Sequence, residues 1–175
     1  VDLPLPLDQP ATNHCGRCHA CLDACPTGAI LAPYELDARL CISYLTIELK
    51  GPIPEQLRPL IGNRIYGCDD CQMVCPWNRF ARLTLEQDFL PRQGLDAATL
   101  ISLFSWDETE FLFRTEGSAI RRLGHHRWLR NLAVALGNAP PSPAASAALE
   151  ARREHDSALV REHVGWALAH QRRSR

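Results

Sequence analysis

Beyond Leu95 the apolar positions recur at helical spacing almost without a break, predicting helices over 95–104, 107–114, 118–123, 126–136, 142–153 and 157–170. Asp107, with Glu110 three residues later, has the form of an N-cap pair for the second of these. Before Leu95 the pattern is interrupted. Pro4, Pro6 and Pro10 make residues 1–14 an extended lead-in. Thr27-Gly28 followed by Ala29-Ile30-Leu31 predicts a turn and a short strand. Ile42, Leu45 and Leu49 share one helical face, and Gly51-Pro52 stops that helix. Pro54 can open a second short helix through Leu57, Leu60 and Ile61, ended by Gly62-Asn63. Residues 76–94 read as irregular, with Pro76, Pro91 and Gly94 as punctuation.

Within the helical half, residues 130–136 resemble residues 162–168 at an offset of 32 positions. That period suits stacked helix pairs of the HEAT type, with 139–143 as the loop between units. The predicted class is therefore α+β and mostly helical, with one domain over 1–90 and a helical HEAT-like repeat domain over 91–175.

A hydrophobic content of 46% is that of a globular chain, and no apolar run approaches a membrane span. The N-terminus has neither an initiator Met nor a signal peptide, so a secretory route is not indicated and a piece of something longer is expected. A cytoplasmic location follows as the expectation, and reduced cysteines with it. Net charge is −1, but it is unevenly spread. Residues 1–90 hold seven basic against eleven acidic side chains, and residues 91–175 hold twelve against nine. That asymmetry points to a nucleic-acid partner for the second half. All basic residues but Lys50 are Arg, which suits phosphate recognition and equally a GC-rich genome.

All eight cysteines lie between Cys15 and Cys75. They read Cys15-x2-Cys18-x2-Cys21-x3-Cys25-Pro26, then Cys41, then Cys68-x2-Cys71-x3-Cys75-Pro76. The first run is that of a bacterial ferredoxin: three thiolates take three corners of a 4Fe–4S cluster, and the cysteine before Pro ligates the neighbouring cluster. The second run has Ile65 where its first cysteine would stand, and Cys41 is the thiol left to replace it. The ligand sets are then Cys15, Cys18, Cys21 and Cys75 for one cluster, and Cys25, Cys41, Cys68 and Cys71 for the other. Two four-cysteine zinc sites would also use eight thiolates, but zinc favours paired knuckles over a Cys-x2-Cys-x2-Cys triplet. A structural disulfide set is the remaining alternative. His14 and His19 flank ligands and are conceivable replacements.

The words between the cysteines carry more. Cys15-Gly-Arg-Cys-His-Ala-Cys-Leu-Asp-Ala-Cys-Pro-Thr-Gly-Ala-Ile, Leu40-Cys41-Ile42-Ser43-Tyr44-Leu45-Thr46-Ile47-Glu48, Asn63-Arg64-Ile65-Tyr66-Gly67-Cys68-Asp69-Asp70-Cys71-Gln72 and Cys75-Pro76-Trp77-Asn78 resemble the epoxyqueuosine reductases. Residues 128–138 and 160–163 look like that family's C-terminal half. The resemblance implies reduction of the epoxide of epoxyqueuosine in tRNA. It also implies two 4Fe–4S clusters, cobalamin and an external electron donor, in a monomer with no membrane association. It further implies an N-terminal domain that holds most of the cobalamin and the proton donor. No part of this chain matches that domain, so no catalytic residue is assigned here, and the chain by itself is expected not to complete the reaction.

Ser43, Asp69 and Asp70, beside the ligands, are then the candidate cobalamin contacts; ordinary solvated loop residues, or a helix cap at Ser43, are the plainer readings. Lys50, Arg121, Arg122, Arg127 and Arg130 are candidate tRNA contacts, against a solvated basic face. Trp128, beside Leu129, Leu132 and Leu136, reads as core before it reads as a stacking platform. A stand-alone two-cluster electron carrier with a helical docking domain is the competing function, and a dehalogenase-like subunit is a third.

Overall fold

A computed structural model describes residues 2–173. The order is α1 (Ala20–Ala24), β1 (Ile30–Ala32), β2 (Glu35–Leu36), α2 (Arg58–Ile61), α3 (Asp70–Met73), α4 (Leu100–Ser105), α5 (Glu108–Arg114), α6 (His125–Asn138), α7 (Pro143–Glu150) and α8 (Ala158–Arg173). The protein is mostly helical, and among the described residues the strands form a single antiparallel hairpin.

Chain chemistry sets the short elements of the first half. A residue before proline is driven out of the α region by the proline ring. So α1 stops at Cys25, whose ψ is 111°, and α3 is followed by Cys75 with ψ 123°. α1 and α3 pack against each other. The β1–β2 hairpin pairs Ile30 with Leu36 and turns through Tyr34, a non-glycine residue with φ 64°. The Tyr34 hydroxyl accepts from the His14 N–H at 2.9 Å, tying the proline-rich lead-in beside the first cysteine.

The helix predicted from Ile42 to Leu49 is a wide turn. Leu45 N donates to Cys41 O, but Leu49 N reaches back five residues to Tyr44 O. Thr46, buried in this turn, donates its hydroxyl to Ile42 O at 2.7 Å and accepts from Gly67 N at 2.9 Å.

In the second half, capping matches the local sequence. Asp107 accepts from Glu110 N, Thr99 from Ser102 N and Ser142 from Ala145 N. The first predicted helix is therefore shorter than its pattern, starting at Leu100 behind the Thr99 cap, with turns over residues 93–97.

The helix α6 is the spine, buried continuously from Trp128 to Gly137. Leu129, Leu132 and Leu136 enter a core with Phe104, Phe111, Leu149, Val160 and Val164. Trp128 is part of that core, stacked on Trp106 with ring centres 5.8 Å apart. Val134 enters a second, smaller core with Ile42, Leu45, Ile53, Leu57 and Ile61. The segment between the two cysteine runs therefore rests on the helical half. No helix among the described residues is long and apolar enough to cross a membrane.

Candidate metal centre

The eight cysteines surround two cavities. One, of about 300 Å³, is lined by Cys15, Cys18, Cys21 and Cys75, with Trp77 and Phe80 on its rim. The other, of about 420 Å³, is lined by Cys21, Cys25, Cys41, Cys68 and Cys71 among apolar side chains such as Ala29, Ile30 and Ile42. Cys21 borders both. The extended backbone at the two Cys-Pro steps turns Cys25 and Cys75 out of their own loops, each toward the cavity of the other run. Cys41, extended at ψ 127°, reaches the larger cavity from the first residue before the wide turn.

Among the described residues no three His, Cys, Asp or Glu side chains converge on one point as a single ion requires. The thiols are instead spread around the walls of two cavities. Such donor sets fit a cube that takes a thiolate at each of four corners, and suit a mononuclear tetrahedral zinc site poorly.

Local polarity differs between the cysteines. Burial opposes ionisation of Cys25, but the Thr27 hydroxyl and the backbone N–H groups of Ala29, Thr27 and Ile30 outweigh it and lower its pKa. The Ala29 N–H donates to its sulfur at 3.3 Å, the kind of hydrogen bond that tunes a cluster's potential. Burial pushes the Cys68 and Cys71 thiols up, and Cys71 is raised further by the Cys68 charge.

Neither flanking histidine ring is among the sulfurs of the larger cavity. His19 pairs with Asp23, and the His14 ring stands edge-on to Trp77 at 5.4 Å while lining the smaller cavity. Of the residues proposed for cobalamin, Ser43 is committed elsewhere. Its hydroxyl accepts from Cys68 N at 3.0 Å and donates to Cys68 O at 3.3 Å, so it braces a ligand loop and caps no helix. Asp70 pairs with Arg64, which also donates to Ile61 O. Asp69 is exposed and accepts from the Gln72 amide at 3.1 Å.

The basic run splits. Arg130 is fully buried, so its assignment to tRNA is corrected. Its guanidinium donates to Leu45 O, Leu49 O, Gly51 O and Asn131 Oδ1 at 2.7–3.0 Å, leaving none of it for phosphate. Burial lowers its pKa to about 10, with Arg127 adding to the effect, so it stays charged at neutral pH. Arg127 is half-buried and donates to Leu123 O, Ile47 O and Arg122 O, while still lining a surface groove. Arg121, Arg122 and Lys50 are exposed, Arg122 in an ion pair with Glu48. Lys50 lines a groove of about 430 Å³ with His126, Arg127 and Ser157, at the starts of α6 and α8.

Several framework residues escape a motif search. Asn131 donates to Thr46 O and Ile65 O, both at 2.8 Å. His163 Nε2 accepts from Ile53 N at 3.1 Å, and buried Arg58 pairs with Glu162. A signal was present in the internal repeat: Arg130-Asn131 and Glu162-His163 occupy matching positions in it, polar pairs within apolar runs. Both pairs hold the segment between the cysteine runs.

Residues 14–78 match the family described as a 4Fe–4S double cluster binding domain. Over 169 residues the chain is 69% identical to the epoxyqueuosine reductase of Xanthomonas campestris, covering 97% of this chain and 48% of that protein. Over 172 residues it is 64% identical to the Escherichia coli epoxyqueuosine reductase, covering 98% and 45%. Among solved structures it resembles epoxyqueuosine reductase with an epoxyqueuosine-modified tRNA-Tyr stem loop, at 34% identity and a TM-score of 0.85, covering 96% and 44%. The Bacillus subtilis enzyme aligns at 33% identity with a TM-score of 0.80, covering 96% and 45%. The chain thus spans about half the length of the curated relatives it matches.

Proposed function

We propose, from the premise that this chain belongs to the epoxyqueuosine reductase family, that it supplies two 4Fe–4S clusters and a tRNA-binding surface to the reduction of epoxyqueuosine in tRNA. The observation that carries this reading is the distribution of eight cysteines around two cavities in a chain so similar to the reductases. Cys15, Cys18, Cys21 and Cys75 hold one cluster; Cys25, Cys41, Cys68 and Cys71 hold the other. When bound, the clusters supply one-electron transfer from an external donor, and the cobalamin implied by the family supplies the reduction of the epoxide.

The protein's own part is to hold, orient and tune. The two Cys-Pro steps cross-link the runs, so each cluster is gripped from both sides of the α1–α3 pair. N–H groups at Cys25 favour added electron density there. Of the residues named for cobalamin, Asp69 is the exposed one, its carboxylate bonded to the Gln72 amide on the surface, while Ser43 and Asp70 are half-buried and engaged with Cys68 and Arg64.

Substrate phosphate is assigned to the groove at the start of α6, where Lys50, His126 and Arg127 outnumber the one lining carboxylate, Glu108. That helix has Gly124 as its N-cap with no capping side chain, and α8 begins on the same groove. Exposed N–H groups at a helix start attract phosphate, and Lys50 and His126 flank them. Arg121 and Arg122 extend the basic surface beside it. Residues 91–175 act in this reading as the helical, HEAT-like tRNA-binding part and residues 1–90 as the cluster part. The division is one of function, because residues 41–61 pack on α6.

Anaerobically reconstituted chain is expected to carry about eight iron and eight sulfide, the content of two such clusters. It should also bind epoxyqueuosine-bearing tRNA in filter binding, with affinity falling as salt rises. A content near four iron, or tRNA affinity indifferent to salt, overturns the corresponding half of the proposal.

A further inference from the structure

We infer that Asn131 and Arg130 of α6, acting through Thr46 and Ser43, are positioning residues for Cys41 and Cys68, two thiolates of one cluster. The inference rests on the ligand assignment proposed above.

It begins with the wide turn after Cys41. Leu49 N bonds to Tyr44 O, so the carbonyls of Leu45 and Thr46 lack the partners that a continuing helix would bring. Such carbonyls, buried, need donors from elsewhere. Arg130 donates to Leu45 O at 2.8 Å and Asn131 donates to Thr46 O at 2.8 Å. Arg130 continues to Leu49 O and Gly51 O, at 2.7 and 2.8 Å. The end of the turn is therefore capped by side chains from a helix about eighty residues away in sequence. Its other end is Cys41, whose carbonyl accepts from Leu45 N at 2.9 Å.

The second ligand is fastened to the same piece. Asn131 also donates to Ile65 O, Thr46 Oγ1 accepts from Gly67 N, and Ser43 Oγ bonds both the N–H and the carbonyl of Cys68. Two chain segments that each bring a thiolate to the larger cavity are thus joined to one another and to α6. The amide of Asn131 has no spare capacity: both amide hydrogens are used, and its oxygen takes two bonds from Arg130. Arg130, Asn131 and Thr46 are all at most 1% exposed, so water cannot replace a missing partner. Local sequence alone does not decide where Cys41 stands relative to Cys68. This network does.

The test compares Thr46→Val, Thr46→Ser and Asn131→Ala in the reconstituted, cluster-loaded chain, with Leu149→Ala as a core lesion on α7. Iron and sulfide content and an EPR-monitored redox titration are read beside Tm. Thr46→Val and Asn131→Ala are expected to lose about half of the iron, or to move one of two reduction steps while the other stays. Thr46→Ser, which keeps the hydroxyl, should restore the parental pattern. Leu149→Ala should lower Tm and leave both steps in place. Parental iron and both parental potentials in Thr46→Val overturn the inference, as does loss of the same step in Leu149→Ala. Should Asn131→Ala fail to fold, the Thr46 pair decides. A parent chain with a single cluster would count against the ligand assignment and is seen before any variant is made.

Discussion

At the scale of single residues, each Cys-Pro peptide aims a thiolate before any tertiary contact forms. The proline ring disfavours helix at Cys25 and Cys75, and both sulfurs leave the loops that carry the other cysteines of their runs. Cys41 has no such local instruction beyond its place before the wide turn. Replacing Cys41 by Ser is therefore expected to cost about half of the bound iron and leave one cluster's EPR signal intact, a result read by iron analysis on anaerobic protein. His163 offers a different measurement. Burial, reinforced by nearby Arg58, lowers its pKa from 6.5 to about 4, and its neutral ring accepts from Ile53 N while the other nitrogen faces Leu159 O. A base whose pKa is depressed by folding stabilises the folded state above its unfolded pKa. That contribution is lost as pH falls from about 6.5 toward 4 and amounts to about 3 kcal/mol over the full window. Denaturant melts of the parent should weaken across this range, and His163→Gln should flatten the dependence.

At the scale of elements, α6 explains most of the second half. A helix buried on all sides must be surrounded, and α4, α7, α8 and the segment after Cys41 surround it. Its closest neighbour is α8: a methyl group added at Gly137 would lie 2.7 Å from Trp166 Cζ3 and 3.0 Å from Ala167 Cα. The backbone atom cannot yield as a side chain can. Gly137→Ala is expected to destabilise the chain by about 1–3 kcal/mol despite the better helix propensity of alanine, measurable as a fall in the denaturation midpoint without a change in cluster type. Most helices of this half were legible because their caps are local: Asp107, Thr99 and Ser142 each bind an N–H three residues on. The predicted helix over residues 42–49 was less so. Its apolar spacing is helical, yet Thr46 diverts its hydroxyl to Ile42 O and Gly67 N, and the turn widens.

At the scale of the whole molecule, the basic run from Arg114 to Arg130 separates into two jobs. Arg127 and Arg130 bond main-chain carbonyls of the first half, while Lys50, Arg121 and Arg122 remain on the surface. The Arg122–Glu48 pair is exposed on both sides and is worth little, so breaking it for phosphate costs little. Lys50→Glu and Arg122→Glu should each weaken tRNA binding and reduce the slope of log affinity against log salt by about one, in filter-binding titrations. Arg130→Gln should act differently, lowering Tm because carbonyls of residues 45–51 lose their donor. Equal effects of all three on binding slope alone would contradict this division.

Hydrophobic spacing, caps and Cys-Pro steps are short-range properties, and they determine from sequence alone most helices of the second half, the extended backbone at Cys25 and Cys75, and the match to a double-cluster pattern. Which arginines face solvent was not readable in that way. Arg121 and Arg130 look equivalent along the chain, but Gly124 breaks the run with φ 76°, and the helix that starts there turns Arg130 toward carbonyls 79–85 positions away. Those carbonyls are exposed for bonding only because the turn after Cys41 is wide and packed on α6. The inward course of Arg130, Asn131 and His163, and through it the joint placement of Cys41 and Cys68, was decided by tertiary structure, since a buried donor is satisfied only by an acceptor that folding brings to it.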